Sequence, residues 1–127
     1  MITHFCPFCW SIIPEKVKTC PDCGELLCRY NDRSIEEKYI LALRHPITEN
    51  RILAAMFLGE SESRQALPEF ERMLREEKEY YVLREVVLAL TRIRDPQACE
   101  LLKVALDHPY SLISQLAKRF LDQLKCN

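Results

Sequence analysis

Residues 45–58 lie on residues 108–121 without a gap, matching His-Pro, Leu-Ala and Phe-Leu at an offset of 63. Another copy sits at about half that distance. Ser63-Arg64-Gln65-Ala66 aligns with Asp95-Pro96-Gln97-Ala98 at an offset of 32, which places Phe70 and Leu74 on Leu102 and Leu106. In the preceding helix Ala55 and Leu58 fall on Val87 and Leu90. A period near 32 built of two helices predicts an all-α fold, an α-solenoid whose stacked hairpins hide apolar stripes that no single helix can bury.

Local signals agree. From Ser34 onward apolar residues recur at three- and four-residue intervals, which is helical periodicity. Only two glycines, Gly24 and Gly59, occur in 127 residues, too few for a β-sandwich, a phosphate-cradling loop or a dinucleotide fold. Six helices are expected, over 34–44, 47–59, 64–77, 79–93, 96–107 and 110–125. Ser34-Ile35-Glu36-Glu37 reads as a capping box opening the first. Asp95 reads as the N-cap of the fifth, with Pro96 at its first position, and Pro68 fits only near the start of the third.

The runs Arg51-x-x-Ala54-Ala55-x-x-Leu58-Gly59 and Ala66-Leu67-Pro68-x-Phe70 resemble HEAT repeats of the short kind known from phycobilisome lyases, over about residues 45–125. The second copy departs from that pattern, with Thr91 for Gly59 and Val86-Val87 for the paired alanines. The resemblance implies a right-handed stack of helical hairpins whose inner helices present a protein-binding surface. It implies no chemistry by itself.

The first 33 residues are of another kind. They hold five of seven cysteines, three prolines and charges that cancel. So short a piece needs a cross-link to stay folded. The chain is therefore divided into a segment 1–33 and a helical domain 34–127.

Cys6-Pro7-Phe8-Cys9, ten residues, then Cys20-Pro21-Asp22-Cys23-Gly24 gives two knuckles that can share one ion. A two-residue gap lets both thiolates of a knuckle point inward, and four of them satisfy tetrahedral Zn²⁺ at about 2.3 Å. Such an ion supplies on the order of 10 kcal/mol, enough to fold a segment of this size. The pattern resembles the short zinc ribbon Cys-Pro-x-Cys-Gly, Ile-Pro, Cys-Pro-x-Cys-Gly; Ile13-Pro14 and Cys20–Gly24 match it, and Trp10 replaces the first glycine. That resemblance implies Cys6, Cys9, Cys20 and Cys23 as ligands of one structural zinc ion. A four-cysteine site is closed to water and substrate. Cys-Pro-Phe-Cys alone resembles the glutaredoxin redox motif, but no βαβ unit follows. Rubredoxin knuckles lie farther apart, although iron can substitute for zinc between such thiolates.

The other candidates have plainer readings. Cys28 is expected half-buried on a strand after the second knuckle, Cys99 in the core and Cys126 idle in a tail; an odd cysteine total argues against a disulfide framework. His4 is expected in solvent, and His45 and His108 as features of interhelical turns. Arg51 and Arg84 are expected to pair with acids of a neighbouring repeat. Arg75, Arg92 and Arg94 are interleaved with glutamates and predict a mixed solvated face. Tyr80, Tyr81 and Tyr110 are read as repeat-to-repeat packing, with binding anchors as the alternative. At least one of Phe5, Phe8 and Trp10 is expected to face out or pack onto the solenoid. No His-Glu pair occurs, so the metal motif of HEAT-repeat deoxyhypusine hydroxylases is lacking.

Eighteen basic and 19 acidic residues leave a net charge of -1, which weighs against nucleic acid as the partner. No apolar stretch approaches the roughly 18 residues of a membrane span, and no signal peptide is expected from Met1-Ile2-Thr3-His4, which lacks a charged region followed by an apolar run. No nucleophile–base or paired-acid constellation is present. The expected function is a non-enzymatic, cytoplasmic, zinc-binding scaffold for a protein partner. The alternatives are a nucleic-acid-binding zinc ribbon and a lyase- or chaperone-like accessory subunit.

Overall fold

Ser34 opens the helical part as its sequence predicts: its hydroxyl accepts from the Glu37 backbone N–H at 3.1 Å and donates to the Glu37 carboxylate at 3.3 Å. In the computed structural model, which describes residues 2–124 and Cys126, six α-helices follow. They are α1 (Ile35–Ala42), α2 (Thr48–Glu60), α3 (Leu67–Glu76), α4 (Tyr80–Arg92), α5 (Pro96–Ala105) and α6 (Ser111–Leu124). Met1, Lys125 and Asn127, and with them the outer limits of the two expected segments and the expected end of the last helix, lie outside the described residues.

The expected helices are all present, with shifted ends. The third starts late because Arg64–Ala66 forms a 3-10 turn, and Pro68 falls in the first turn of α3, where its missing N–H leaves no helical bond unmade. Asp95 caps α5 by accepting from the Gln97 N–H at 2.8 Å. The pairs α1–α2, α3–α4 and α5–α6 pack as hairpins, and α2, α4 and α6 line up along one layer with α4 central. Phe70, Leu43, Leu58, Met73 and Leu83 are fully buried in one continuous core.

Gly59 sets the closest crossing. A Cβ there would stand 2.7 Å from the Ala89 Cα and 2.8 Å from its Cβ, so only glycine lets α2 and α4 approach so nearly. Where the next copy has Thr91, the hydroxyl turns back to the Leu88 carbonyl at 2.6 Å.

Ahead of α1 the chain forms a two-stranded antiparallel ladder, β1 (His4–Phe5) with β2 (Ile12–Ile13), in the register His4 to Ile13 and Phe5 to Ile12. An isolated bridge joins Thr19 and Leu26. Cys6, Ile13 and Cys20, with Phe8, Val17 and Leu27 around them, make a second small cluster of buried side chains. The strand expected at Cys28 is absent: Leu27–Asp32 is a 3-10 helix, and Cys28 is exposed on it.

Two further expectations are overturned. Cys99 and Cys126 form a disulfide, with Cα atoms 5.9 Å apart; Cys99 lies in the first turn of α5, and antiparallel packing brings the end of α6 back to it. Among the described residues Arg84 finds no acid of a neighbouring repeat and meets only Glu85, at 4.0 Å. At the offset of 32 that places Ala54-Ala55 on Val86-Val87, Leu83 takes the place of Arg51. Arg84 is thus one residue, about 100° around the helix, out of that position. Arg51 does form the expected strut, meeting Glu77 at 2.8 Å and donating to the His45 carbonyl at 2.8 Å.

Candidate metal centre

The two Cys-x-x-Cys runs fold by one backbone rule applied twice. Cys6 N–H donates to the Ser11 carbonyl at 2.9 Å, and Trp10 N–H donates to the Cys6 carbonyl at 2.7 Å. Fourteen residues on, Cys20 N–H donates to the Glu25 carbonyl at 3.0 Å and Gly24 N–H to the Cys20 carbonyl at 2.9 Å. Each turn closes through a left-handed residue, Trp10 at φ 65° and Gly24 at φ 78°. Glycine adopts that conformation freely; tryptophan does so against its Cβ.

These turns bring four thiols together. The Sγ atoms of Cys6, Cys9, Cys20 and Cys23 all lie within 4.8 Å of one another. Cys6 and Cys23 stand 3.7 Å apart, and Cys9 and Cys20 3.6 Å apart. A tetrahedron with bonds of about 2.3 Å has edges of about 3.8 Å, so the spacing suits an ion of zinc's size. Backbone N–H groups of Asp22 and Cys23 reach the Cys20 sulfur at 3.4 and 3.5 Å, bonds that fix its direction and favour its thiolate form. Cys6 and Cys20 are buried while Cys9 and Cys23 are exposed.

Cys6, Cys9 and Cys23 do not titrate alike. Hydrogen bonds from the Ser11 hydroxyl and then its backbone N–H bring Cys9 down to about 7. The Glu25 backbone N–H pulls Cys23 down, but desolvation and its bonds to Cys20, Cys6 and Cys9 together push it up to about 12. Burial raises Cys6. One thiolate in such a cluster makes the next harder to form, and a divalent cation among them reverses that. His4 and Cys28 are not part of the cluster.

Trp10 is the residue whose role composition and spacing do not reveal. Its indole N–H donates to the Leu41 carbonyl at 2.8 Å, in the last turn of α1, and its ring lies 4.5 Å from that of His45. Phe5 meets the same imidazole edge-on at 6.0 Å. The segment therefore docks on the α1–α2 turn through Trp10 and Phe5, while Phe8 faces Tyr30 and the Arg33 guanidinium. Burial, followed by the charge of Arg51, holds His45 below its ordinary pKa. The signal for this docking was the tryptophan standing where the ribbon pattern has glycine.

His45 and His108 repeat one turn: the Nδ1 of each accepts from the backbone N–H two residues on, at 3.0 Å. Tyr80 is half-buried against the core, whereas Tyr81 and Tyr110 are exposed beside it, with ring centroids 5.2 and 5.6 Å from that of Tyr80.

No curated protein matches the chain, and no solved structure does. The profile for HEAT repeats matches residues 36–121, which takes in α2 to α5 whole and all but the outer ends of α1 and α6. With stacked helical hairpins over that same stretch, the chain belongs to the family of HEAT repeats.

Proposed function

We propose that this protein is a non-enzymatic, zinc-binding scaffold that holds a protein partner, with a zinc-folded ribbon (residues 1–33) fastened to one end of a HEAT-repeat domain (residues 34–127). The observation that carries the metal half is the gathering of the Cys6, Cys9, Cys20 and Cys23 sulfurs within 4.8 Å of one another, with two pairs at 3.6 and 3.7 Å. Zinc there would neutralise crowded thiolates and fix two turns that have little apolar core of their own. Four protein ligands leave no open coordination position, which supports a structural ion over a catalytic one. The scaffold half rests on the family, whose stacked helices present extended surfaces. The repeats are taken as the phycobilisome-lyase kind on the strength of Arg51, Ala54-Ala55, Leu58-Gly59 and Pro68.

Metal analysis of the purified chain is expected to return one zinc per molecule. Chelation is expected to release it and to raise amide exchange across residues 2–33 while α2–α5 stay protected. A chain with no stoichiometric metal, or one equally ordered after chelation, would refute the reading. Cross-linking in cells is expected to trap a stoichiometric protein partner; recovery of ribosomes and chaperones alone would speak against a scaffold.

The cytoplasm is proposed as the compartment because the cluster needs reduced thiols; among the described residues no helix is long and apolar enough to cross a membrane. The Cys99–Cys126 disulfide does not fit a strongly reducing compartment. Alkylating the chain inside cells before lysis separates the cases: free thiols at both positions are expected, and a disulfide trapped in living cells would move the protein elsewhere.

A further inference from the structure

The helical domain neutralises its arginines unevenly. Arg44, Arg51, Arg64, Arg72 and Arg75 each have a carboxylate within 3.5 Å. Among the described residues Arg92 and Arg119 have none within 4.0 Å, and Arg84 only its neighbour Glu85 at 4.0 Å. These three lie on α4 and α6. Along those two helices four basic side chains (Arg84, Arg92, Lys118, Arg119) face two acidic ones (Glu85, Asp122), in a chain whose net charge is -1.

Arg84 and Arg119 flank a cleft of about 290 Å³ between α4 and α6. Its apolar lining comes from Leu88, Leu112, Leu116 and Phe120, and no carboxylate contributes. Leu112 is 53% exposed there. The larger hollow between the α3–α4 and α5–α6 turns, about 850 Å³, is lined by both signs, Arg75 and Lys78 with Glu77 and Asp107, and so selects no partner charge.

We propose that the α4–α6 cleft binds an acidic amphipathic segment of a partner protein, an inference that rests on the scaffold reading above. One large apolar side chain of that segment enters between Leu88, Leu112, Leu116 and Phe120, and carboxylates on either side of it pair with Arg84 and Arg119. Guanidinium groups suit this because their planar donors take a carboxylate two bonds at a time, and the apolar lining beside them removes competing water. A nucleic acid fits less well. Its affinity comes from many phosphate contacts, and this cleft offers two cations around a greasy floor.

The test is to pan a display library of random peptides against the zinc-loaded full chain and to measure a selected peptide, labelled with fluorescein, by anisotropy. Selected sequences are expected to be rich in Asp and Glu around large apolar residues. R84E/R119E is expected to weaken the labelled peptide by at least about tenfold, and R84Q/R119Q by less. R75E, on α3, is expected to change it by less than about twofold. Unchanged thermal melts show that the variants still fold. A selection without acidic bias, a selection that yields no peptide, or binding unaltered in R84E/R119E overturns the inference. So does a labelled oligonucleotide whose binding to the wild type is lost in that variant. The scaffold reading is judged separately by cross-linking of the wild-type chain, whose partner contacts could then fall on another face.

Discussion

Trp10 holds a left-handed backbone conformation, φ 65°, that disfavours any side chain by about 1–2 kcal/mol. Its indole bond to Leu41 and its contact with His45 offset that strain by joining the cysteine-bearing segment to α1. W10G should therefore relieve the turn and keep the metal, yet undock the segment: zinc content unchanged, amide exchange raised in residues 2–33 and at the end of α1. W10F should fall between the two. Equal protection in W10G and wild type would show that the indole anchors nothing. Glu69 makes a second prediction at this scale. Burial pushes its carboxyl up, but bonds from Arg44 and Arg72 outweigh that and leave it below the ordinary carboxylate value. A carboxyl lowered by folding adds stability above its unfolded pKa and loses it as pH falls through the folded one. E69Q is expected to cost about 1 kcal/mol at pH 7, discounted because Arg44 is half exposed. In urea unfolding the gap from wild type should close below about pH 4; a gap that persists there would assign the loss to packing. Arg51 could be read from the sequence and Arg84 could not, since a guanidinium one residue out of register looks the same in a string of letters.

At the scale of elements, the helices were legible because periodicity and caps act locally, as Ser34 and Asp95 show. The 3-10 turn before α3 was not, because Arg64–Ala66 carries the same apolar spacing as the helix it precedes. Cys28 failed for a related reason. Two residues after the Thr19–Leu26 bridge the chain has no partner strand to continue pairing, and it coils instead. Gly59 was visible as part of a repeat pattern, but its reason is a distance between two helices that no single segment encodes. G59A gains helix propensity of about 1 kcal/mol, yet its Cβ meets Ala89 backbone at 2.7 Å, which no side-chain rotation relieves. Net destabilisation of about 1–2 kcal/mol is expected in denaturant unfolding, while G59S should be worse. A stabilised G59A would mean that α2 and α4 separate at little cost.

At the scale of the molecule, a stack of helical pairs has two ends where apolar stripes run out, and end repeats loosen first. Here cysteine chemistry meets both ends in different forms. At the first, four thiols gather in a segment seated on the α1–α2 turn; at the second, Cys99–Cys126 ties the chain after α6 to the start of α5. The first was legible because its ligand spacing is short and regular. The second was not, because partners 27 residues apart become neighbours only once α5 and α6 fold back on each other. Closing a loop of that length stabilises by about 3.5 kcal/mol in the chain-entropy account. In the purified, oxidised protein C126S should lower stability by up to that amount and raise exchange in α6, leaving residues 2–33 unchanged. Chelation should do the converse, loosening residues 2–33 and α1 while α6 stays protected. If either treatment loosened both ends together, the six helices would be one cooperative unit, and the clamps would act on global stability rather than on their own ends.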